Sequence, residues 1–404
     1  MTRSRRHSAR RIVAVGAAVV LLASACAGPD GPDGPADPAA PSASTRAVDG
    51  SAKEDVPSAL RQPIDDPSLP QPLVDPGEVS SGGPPPDGIP AVDKPKFVSP
   101  AEVDWLSSDE PVLALEIAGE QRAYPVQIMI WHEIVNDQVA GTPLTVTYCP
   151  LCNSALAFQR RLGDRLLTFG VSGFLYHSDL VMYDRQTESL WSQIEGRAIA
   201  GHLTGRTLAR VPVQTVTWDQ WRQAHPEGKV LSRDTGVDRD YGRNPYLGYD
   251  KAADDPFAFS GDPDPRLAPK ERVLGLGDTG ADPTALLLSS LALKRVVALT
   301  VNGDPVVVWA VGGLRSALDT KEISSGRHIA ATGAFNPVLG KQQLTFAADG
   351  GETFIDRQTG STWDILGRAV TGPLAGQRLQ PVSHLDTFWF AWAAFHPDTR
   401  LVMP

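Results

Sequence analysis

The sequence predicts a mainly β protein with a few short helices, an α+β fold built from two related β-rich repeats packed together. Two alternating, β-branched segments, VLALEI and VVALTV, end in Ala118-Gly119 and Asn302-Gly303. This pattern is typical of a strand, a tight turn and a second strand. The stretch around Gly163-Asp164 predicts another hairpin. Only short segments show the three-and-four spacing of a helical face.

The repeat is visible in the sequence itself. DRQTESLWSQIEGRAIAGHLTGRTL at 184–208 recurs as DRQTGSTWDILGRAVTGPLAGQRL at 356–379, and the segment from Val112 resembles the segment from Val296. Self-similarity of this kind indicates a duplicated structural unit. Two tryptophans and a His-Pro pair also recur at identical spacing: Trp218, Trp221, His225-Pro226 and Trp389, Trp392, His396-Pro397.

These matches divide the chain into a first repeat at 96–232, a connection at 233–293 with one strand and one short helix, and a second, degenerate repeat at 294–404. Features that both repeats keep are expected to be scaffold. The tryptophan pairs are therefore expected in the core, with the His-Pro pairs ending short helices. Features found in one repeat are candidates for chemistry.

The first 95 residues predict export and attachment to a membrane. A cationic start, an apolar run and small residues before Cys26 form a lipoprotein signal peptide at 1–25, with Cys26 as the expected lipidated residue. Residues 26–95 are expected to be a disordered tether, because Ala27 to Pro95 holds 16 of the 35 prolines and no aromatic residue. The expected location is the outer face of the cytoplasmic membrane.

The formal net charge of −10 argues against nucleic acid as a partner. It argues equally against an anionic membrane surface, so the lipid anchor on Cys26 is the predicted membrane contact. Charge indicates no further ligand, and the sequence predicts no particular protein partner.

The candidate site lies in the first repeat, which holds the cysteines of the folded part, Cys149 and Cys152. A helix from Pro125, with Ile128, Trp131 and Val135 as its buried stripe, is expected to present His132. The strand TPLTVTYC is expected to deliver Cys149 to its end. Nearby sulfur and imidazole groups are further candidates: Met129, His177 and Met182.

Three functions remain open for this cysteine pair. The leading hypothesis is a soft-metal site for metal handling or electron transfer, with copper as the preferred metal and Cys149, Cys152 and His132 as ligands. The alternative is a thiol-disulfide oxidoreductase in which one thiolate attacks and the other resolves. A third is a non-catalytic interaction module with a structural disulfide, although a ring this small contributes at most about 2 kcal/mol. Whether the protein is an enzyme stays open.

The motifs HEIVND, TYCPLC and MYDRQT followed by tryptophan are similar to those of a bacterial and archaeal family catalogued as a domain of unknown function. The resemblance covers about residues 97 to 404. It implies uncharacterised exported proteins, often lipid-anchored, and implies no activity. His132, Glu133, Asn136, Cys149 and Cys152 match the family motifs directly, whereas relatives often carry Asn at position 177.

Overall fold

The computed structural model describes residues 53–404, and the predicted signal peptide and Cys26 lie outside this range. The described chain is mainly β, with 30 short strands and four α-helices of seven residues each. The predicted fold class is confirmed at this level. No helix of residues 53–404 is long and apolar enough to cross a membrane.

The elements of the N-terminal half are short and follow one another closely. In chain order they are β1 (Val79–Ser81), β2 (Phe97–Val98), β3 (Pro111–Ile117), β4 (Glu120–Pro125), α1 (Val126–His132), β5 (Ile134–Val139), β6 (Thr142–Cys149), β7 (Ser154–Gln159), β8 (Arg161–Leu162), β9 (Arg165–Leu166), β10 (Phe169–Tyr176), β11 (Asp179–Asp184), β12 (Leu190–Ser192), β13 (Arg197–Ala200), β14 (Arg210–Val211), β15 (Gln214–Thr217), α2 (Trp218–Ala224) and β16 (Lys229–Leu231).

The C-terminal half begins after a connection without long elements. Its elements are β17 (Arg272–Leu276), β18 (Thr284–Leu287), α3 (Leu288–Lys294), β19 (Val296–Val301), β20 (Asp304–Arg315), β21 (His328–Asn336), β22 (Val338–Leu339), β23 (Gln342–Gln343), β24 (Phe346–Asp349), β25 (Thr353–Asp356), β26 (Thr362–Trp363), β27 (Ala369–Thr371), β28 (Gln380–Pro381), β29 (His384–Phe388), α4 (Trp389–Phe395) and β30 (Arg400–Val402).

The strands form several small sheets rather than one large one. In the N-terminal half the orders are β15-β3-β4-β16-β2, β14-β7-β6-β5 and β1-β10-β11-β12-β13. In the C-terminal half they are β29-β17-β18-β30, β19-β20-β21-β28 and β24-β25-β26-β27. Two hairpins, β8-β9 and β22-β23, form separate two-stranded sheets. Most neighbours are antiparallel, as expected for strands joined by tight turns, and β4-β16 and β18-β30 are parallel.

The predicted hairpin turns are confirmed. Ala118 and Gly119 join β3 to β4 with φ of 48° and 82°, and Asn302 and Gly303 join β19 to β20 with φ of 51° and 88°. Two successive residues at positive φ match the right-handed twist of the flanking strands. The stretch around Gly163 also forms a hairpin, between β8 and β9.

The short helices α2 and α4 bury the paired tryptophans, as expected for scaffold. Trp218, Trp221, Trp389 and Trp392 are all at most 1% exposed. The side chain of Thr217 accepts a hydrogen bond from the backbone N–H of Gln220 and so caps the start of α2.

The helix expected from Pro125 is shorter than its apolar pattern indicates. It ends at His132, because Glu133 adopts φ 56° and ψ −30°, which cannot continue an α-helix. Val135, expected on the helical stripe, therefore lies in β5. Ile128 is buried and Trp131 is partly exposed.

Residues 53–95, which composition predicts to be part of a disordered tether, lie against the N-terminal sheet. The strand β1 pairs with β10, and Val92 bridges to Val135. Ala59, Leu60 and Leu69 are buried against side chains of β11 to β13. Composition shows that this segment cannot form its own core, but it does not show that the segment can complete the core of a neighbour.

The connection predicted at 233–293 contains more structure than expected. Two strands, β17 and β18, and most of α3 lie within it, whereas the sequence indicates one strand and one short helix. β17 pairs with β29 across more than 100 residues of chain. The part at 233–271 has no strand or helix and passes over the N-terminal sheets at Tyr241, Tyr246 and Tyr249.

The largest apolar cluster joins the two halves and contains both cysteines. Cys149 and Cys152 pack there with residues of α1, β29 and α4. The carbonyl oxygen of Cys152 accepts hydrogen bonds from the backbone N–H of Phe388 at 3.0 Å and from Thr387 Oγ1 at 2.8 Å. The C-terminal half therefore holds the cysteine turn in place.

Candidate functional site

The cysteine turn connects β6 to β7. Cys149 is the last residue of β6 and lies opposite Ser154, the first residue of β7. The connection is tight, with Asn153 at φ 53°. Both cysteines are free thiols and both are buried, Cys149 at 2% and Cys152 at 0% exposure. The strand end is rigid because β6 pairs with β5 on one side and with β7 on the other.

A polar network under the turn fixes the two strands. Gln193 donates from Nε2 to Thr147 Oγ1 at 2.9 Å, and its Oε1 accepts from Ser154 Oγ at 2.9 Å. All three residues are fully buried. Satisfied buried networks of this kind add rigidity, so the thiols are presented from a fixed frame.

Asp179 completes a group of three potential ligands. It is the first residue of β11 and follows a tight turn in which His177 and Ser178 have φ of 50° and 65°. This turn brings one carboxylate oxygen of Asp179 and the Sγ atoms of Cys149 and Cys152 within 4.8 Å of one another. The Cys152 thiol also donates to the carbonyl oxygen of Ser178 at 3.5 Å.

The Asp179 carboxyl group is only half satisfied. Its Oδ2 accepts a hydrogen bond from the backbone N–H of Ile194 at 3.0 Å. Its Oδ1 is buried and has no hydrogen bond of good geometry from residues 53–404, with the Cys152 thiol as its neighbour. A buried carboxyl oxygen without a full set of partners is uncommon in native proteins and calls for an explanation, such as a redox role, an ordered water or an ion.

Burial disfavours negative charge on Asp179 and Cys152. It raises the pKa of Asp179 to about 8, and the backbone N–H of Ile194 and the neighbouring Cys152 thiol offset only part of the effect. Burial also raises the pKa of Cys152 well above its ordinary value, and the neighbouring Cys149 and Asp179 add to the increase. Asp179 and Cys152 are therefore mostly protonated at neutral pH, and a bound cation would have to displace their protons.

The structure does not place His132 in this group, whose third member is Asp179. The Nδ1 atom of His132 is 2.7 Å from the carbonyl oxygen of Pro90, and Nε2 is 2.6 Å from the hydroxyl of Tyr241. Both ring nitrogens are thus occupied. This position has a physical cause, since α1 ends at His132 and the segments around Pro90 and Tyr241 cover its ring.

The other predicted metal ligands are close to the site residues in sequence, but in the structure their side chains pack in the core or against aromatic rings. Met129 in α1 and Met182 in β11 are fully buried in the apolar cluster. The ring of His177 packs against those of Tyr176 and Phe395, and its Nδ1 is buried without a hydrogen-bond partner among residues 53–404. His177 is outside the three-ligand group.

Sequence reasoning missed Asp179. A signal was present, because Asp179 is the one acidic residue in the segment SGFLYHSDLVM, which lacks a counterpart in the second repeat. A carboxylate inside an otherwise apolar strand is seldom buried without a partner.

An apolar cavity of about 290 Å³ lies beside the cysteine turn. Leu151, between the two cysteines, and Leu180, next to Asp179, form part of its wall. Glu133, Tyr246 and Tyr249 supply its polar groups. The cavity thus reaches the chain segments that carry all three potential ligands.

Comparison with known proteins identifies a family but no activity. The model of a family described as "Protein of unknown function (DUF3179)" matches residues 86–399. Comparison with curated proteins and comparison with solved structures gave no significant match.

Proposed function

The chain belongs to this family of unknown function, and from its own residues we propose that it binds a thiophilic metal ion. The ligands are the thiolates of Cys149 and Cys152 and the carboxylate of Asp179. One observation carries the proposal: three ligand atoms converge within 4.8 Å in a buried site. Buried anionic groups persist in proteins when they are paired or when they coordinate a metal.

Within residues 53–404, the cationic side chain that acts electrostatically on Asp179 is Arg210, and its guanidinium is paired with Asp278. Two thiolates and a carboxylate carry three negative charges when deprotonated, and a bound cation reduces this charge. Metal binding would therefore release protons and would be favoured by rising pH.

The ligand types narrow the choice of metal. Thiolates favour Cu(I) and Zn(II) over hard cations, which supports copper as the first candidate. The carboxylate is an ordinary zinc ligand, so zinc is the competing candidate. With three protein ligands a tetrahedral zinc site would keep one position open, as catalytic zinc sites do.

The test is metal retention by matched variants. The reduced protein is loaded with Cu(I) or Zn(II), desalted in the presence of a competing chelator and analysed for metal and protein. We expect about one ion per chain in the wild type and in C26S, which lacks the third cysteine. We expect none in the C149S/C152S variant and at least about tenfold weaker binding in D179N. Equal retention by the wild type and C149S/C152S would eliminate the metal site.

A specific observation favours thiol-disulfide exchange as a second function. Asp179 lies beside the buried thiol of Cys152, and its carboxylate, which forms as the pH approaches its raised pKa of about 8, can accept the thiol proton. In such a reaction the Cys149 thiolate attacks a substrate disulfide and releases one substrate thiolate. The Cys152 thiolate then attacks the mixed disulfide, releasing the second substrate thiol and forming the Cys149–Cys152 disulfide.

The reduction potential of the pair tests this alternative. An exchange enzyme would give a value between about −120 and −270 mV, whereas a structural bridge lies below about −300 mV. D179N should slow the second, resolving step while leaving mixed-disulfide formation unchanged. A potential below that range, with copper or zinc retention intact, would exclude exchange and leave metal binding.

We also propose that the chain contains two related β units. Identical strand orders support this: β15-β3-β4-β16 corresponds to β29-β17-β18-β30, and β14-β7-β6-β5 corresponds to β28-β21-β20-β19. This correspondence aligns Val112 of β3 with β17, not with Val296 of β19 as the sequence match indicates. The units then extend over about 111–231 and 272–402.

Export and lipid attachment at Cys26 remain part of the proposal. The order of a cationic segment, an apolar segment and a cysteine supports them. Labelling of cells with a radioactive fatty acid would test the anchor. We expect label in the wild-type protein and none in C26S, and label in both proteins would contradict attachment at this residue.

A further inference from the structure

We propose that the cavity beside the cysteine turn binds a small, neutral, mostly apolar organic molecule whose carbonyl oxygen accepts a hydrogen bond from Glu133. The cavity measures about 290 Å³. A cavity of about 150 Å³ holds benzene, so this one has room for a molecule with two fused rings. The inference goes beyond metal binding and does not depend on it.

Glu133 places a carboxyl group in the cavity wall with hydrogen-bonding capacity to spare. Glu133 is 7% exposed and lines the cavity. Its one side-chain hydrogen bond within residues 53–404 comes from the hydroxyl of Tyr246 at 3.4 Å, which is long. A buried carboxyl group with one long hydrogen bond can bind a further polar atom.

The backbone conformation at position 133 does not require a glutamate. At the end of α3, Arg295 adopts nearly the same conformation, φ 64° and ψ −31° compared with 56° and −30°. The strained turn is therefore a property of the scaffold. Arg295 lies partly exposed over the ring of Phe354, whereas Glu133 faces an apolar cavity. The residue, and not the turn, distinguishes the two helix ends.

The electrostatics favour a neutral ligand. Burial raises the pKa of Glu133 to about 8, and no cationic side chain contributes to that shift. At pH 7 the carboxyl group is therefore mostly protonated and donates an O–H. The O–H of Tyr246 is already directed at Glu133, so the Glu133 carboxyl group is the donor left for the ligand. A donor O–H suits an acceptor oxygen, and the residues that line the cavity include no cation for an anionic ligand.

The remaining wall is apolar. Ile89, Leu151, Val171 and Phe174 face the cavity. Phe257 also lines it and is 50% exposed, an unusual exposure for a large aromatic side chain. A half-exposed aromatic ring at the edge of an apolar cavity provides a surface for an apolar molecule that enters from water.

Binding of three matched probes tests the site by equilibrium dialysis. The probes are 2-acetylnaphthalene, 2-ethylnaphthalene, which lacks the oxygen, and a trimethylammonium derivative of naphthalene. The C149S/C152S chain is used, so that thiols and metal play no part. We expect the ketone to bind at least about tenfold more tightly than the hydrocarbon, the ratio that one hydrogen bond of about 1.4 kcal/mol produces.

Two substitutions at Glu133 separate its role from simple packing. E133Q keeps a neutral donor and should bind the ketone within about threefold of the parent, whereas E133L should bind ketone and hydrocarbon equally. L151W, which fills the cavity from a partly exposed position, should abolish binding of both probes. Circular dichroism and thermal melting show which variants are folded.

The pH dependence provides a further check. Within residues 53–404, the tyrosines around Glu133 are Tyr148, Tyr246 and Tyr249, and burial raises the pKa of each above its ordinary value. Cys149 acts electrostatically on all three tyrosines, and it is serine in the C149S/C152S parent. Ketone binding should therefore fall above about pH 8 in the parent, as Glu133 loses its proton, and stay level in E133Q. Equal binding of ketone and hydrocarbon by the parent, tighter binding of the ammonium probe, or no binding by a folded parent would overturn the inference.

Discussion

Two aspartates of one strand show at the residue scale how scaffold and site differ. Asp184 ends β11 and accepts hydrogen bonds from Thr187 N at 2.7 Å, Thr187 Oγ1 at 2.9 Å and Trp191 Nε1 at 3.0 Å. Asp356 in the C-terminal half has the same set of bonds, to Thr359 and Trp363. Asp179 begins β11 and leaves one oxygen unsatisfied.

These environments predict opposite effects of the same substitution. D184N replaces one accepting oxygen by an N–H₂ group, which cannot accept the hydrogen bonds that Asp184 receives. It should lower the free energy of unfolding by about 2–4 kcal/mol. D179N removes a carboxyl group that gains little from its surroundings, so the metal-free protein should change by less than about 1 kcal/mol.

Urea denaturation at pH 7, with metal removed by a chelator, measures both variants. A loss in D179N as large as that in D184N would make Asp179 part of the scaffold. It would also remove the reason to regard its free oxygen as a ligand.

The same residues show what sequence reasoning could find at this scale. The CxxC pair was recognisable because two cysteines three positions apart at a strand end are rare. Asp179 was not assigned, since its approach to the thiols depends on the tight turn at His177 and Ser178, which pairs β10 with β11. The position of His132 was not predictable, because α1 ends at this residue and Tyr241 comes from a distant segment to cover its ring.

At the element scale the hairpins follow directly from local sequence. The β3-β4 turn holds Ala118 at φ 48°, a conformation that costs an alanine about 1 kcal/mol and that asparagine tolerates. The β19-β20 hairpin has Asn302 at the first position of its turn. A turn of this kind can be predicted from the local sequence. The pairing of β17 with β29 cannot, because the two strands are far apart in the chain and meet only in the complete fold.

The turn therefore predicts a stabilising substitution. A118N should raise the free energy of unfolding by about 0.5–1 kcal/mol, because Asn-Gly is the preferred pair for this turn. The side chain is exposed, so no packing changes. Thermal denaturation compares A118N with A118V, whose branched side chain should lower stability. An A118N protein less stable than the wild type would show that the turn geometry is misassigned.

At the scale of the whole molecule the two halves depend on each other. Gln214 of β15 donates from Nε2 to the carbonyl oxygens of Thr332 at 2.6 Å and Ile365 at 2.8 Å. The C-terminal half in turn holds the Cys152 carbonyl. Although the C-terminal half has no cysteine, it supports the site.

His225 at this junction predicts a sensitivity to acid. It follows α2, and burial together with the charges of Arg368 and Arg378 lowers its pKa to about 4. The unfolded chain binds this proton near pH 6.5, before the folded chain does. The contribution of His225 to the free energy of unfolding is therefore fully present above about pH 6.5. It is lost as the pH falls toward 4, by up to about 1.4 kcal/mol per pH unit.

Urea denaturation between pH 4.5 and 8 measures this effect. H225Q should lose less stability on acidification than the wild type. H202Q, at an exposed position, should behave as the wild type does. Identical pH profiles for H225Q and the wild type would exclude His225 as a source of the acid sensitivity.

The central claim is that two thiolates and one carboxylate form a metal site. X-ray absorption spectroscopy of the zinc-loaded protein tests it most directly. The account predicts two sulfur ligands at about 2.3 Å and at least one oxygen at about 2.0–2.2 Å, with the oxygen environment altered in D179N. A coordination shell without sulfur, or one whose third ligand is an imidazole that H132Q removes, would contradict it.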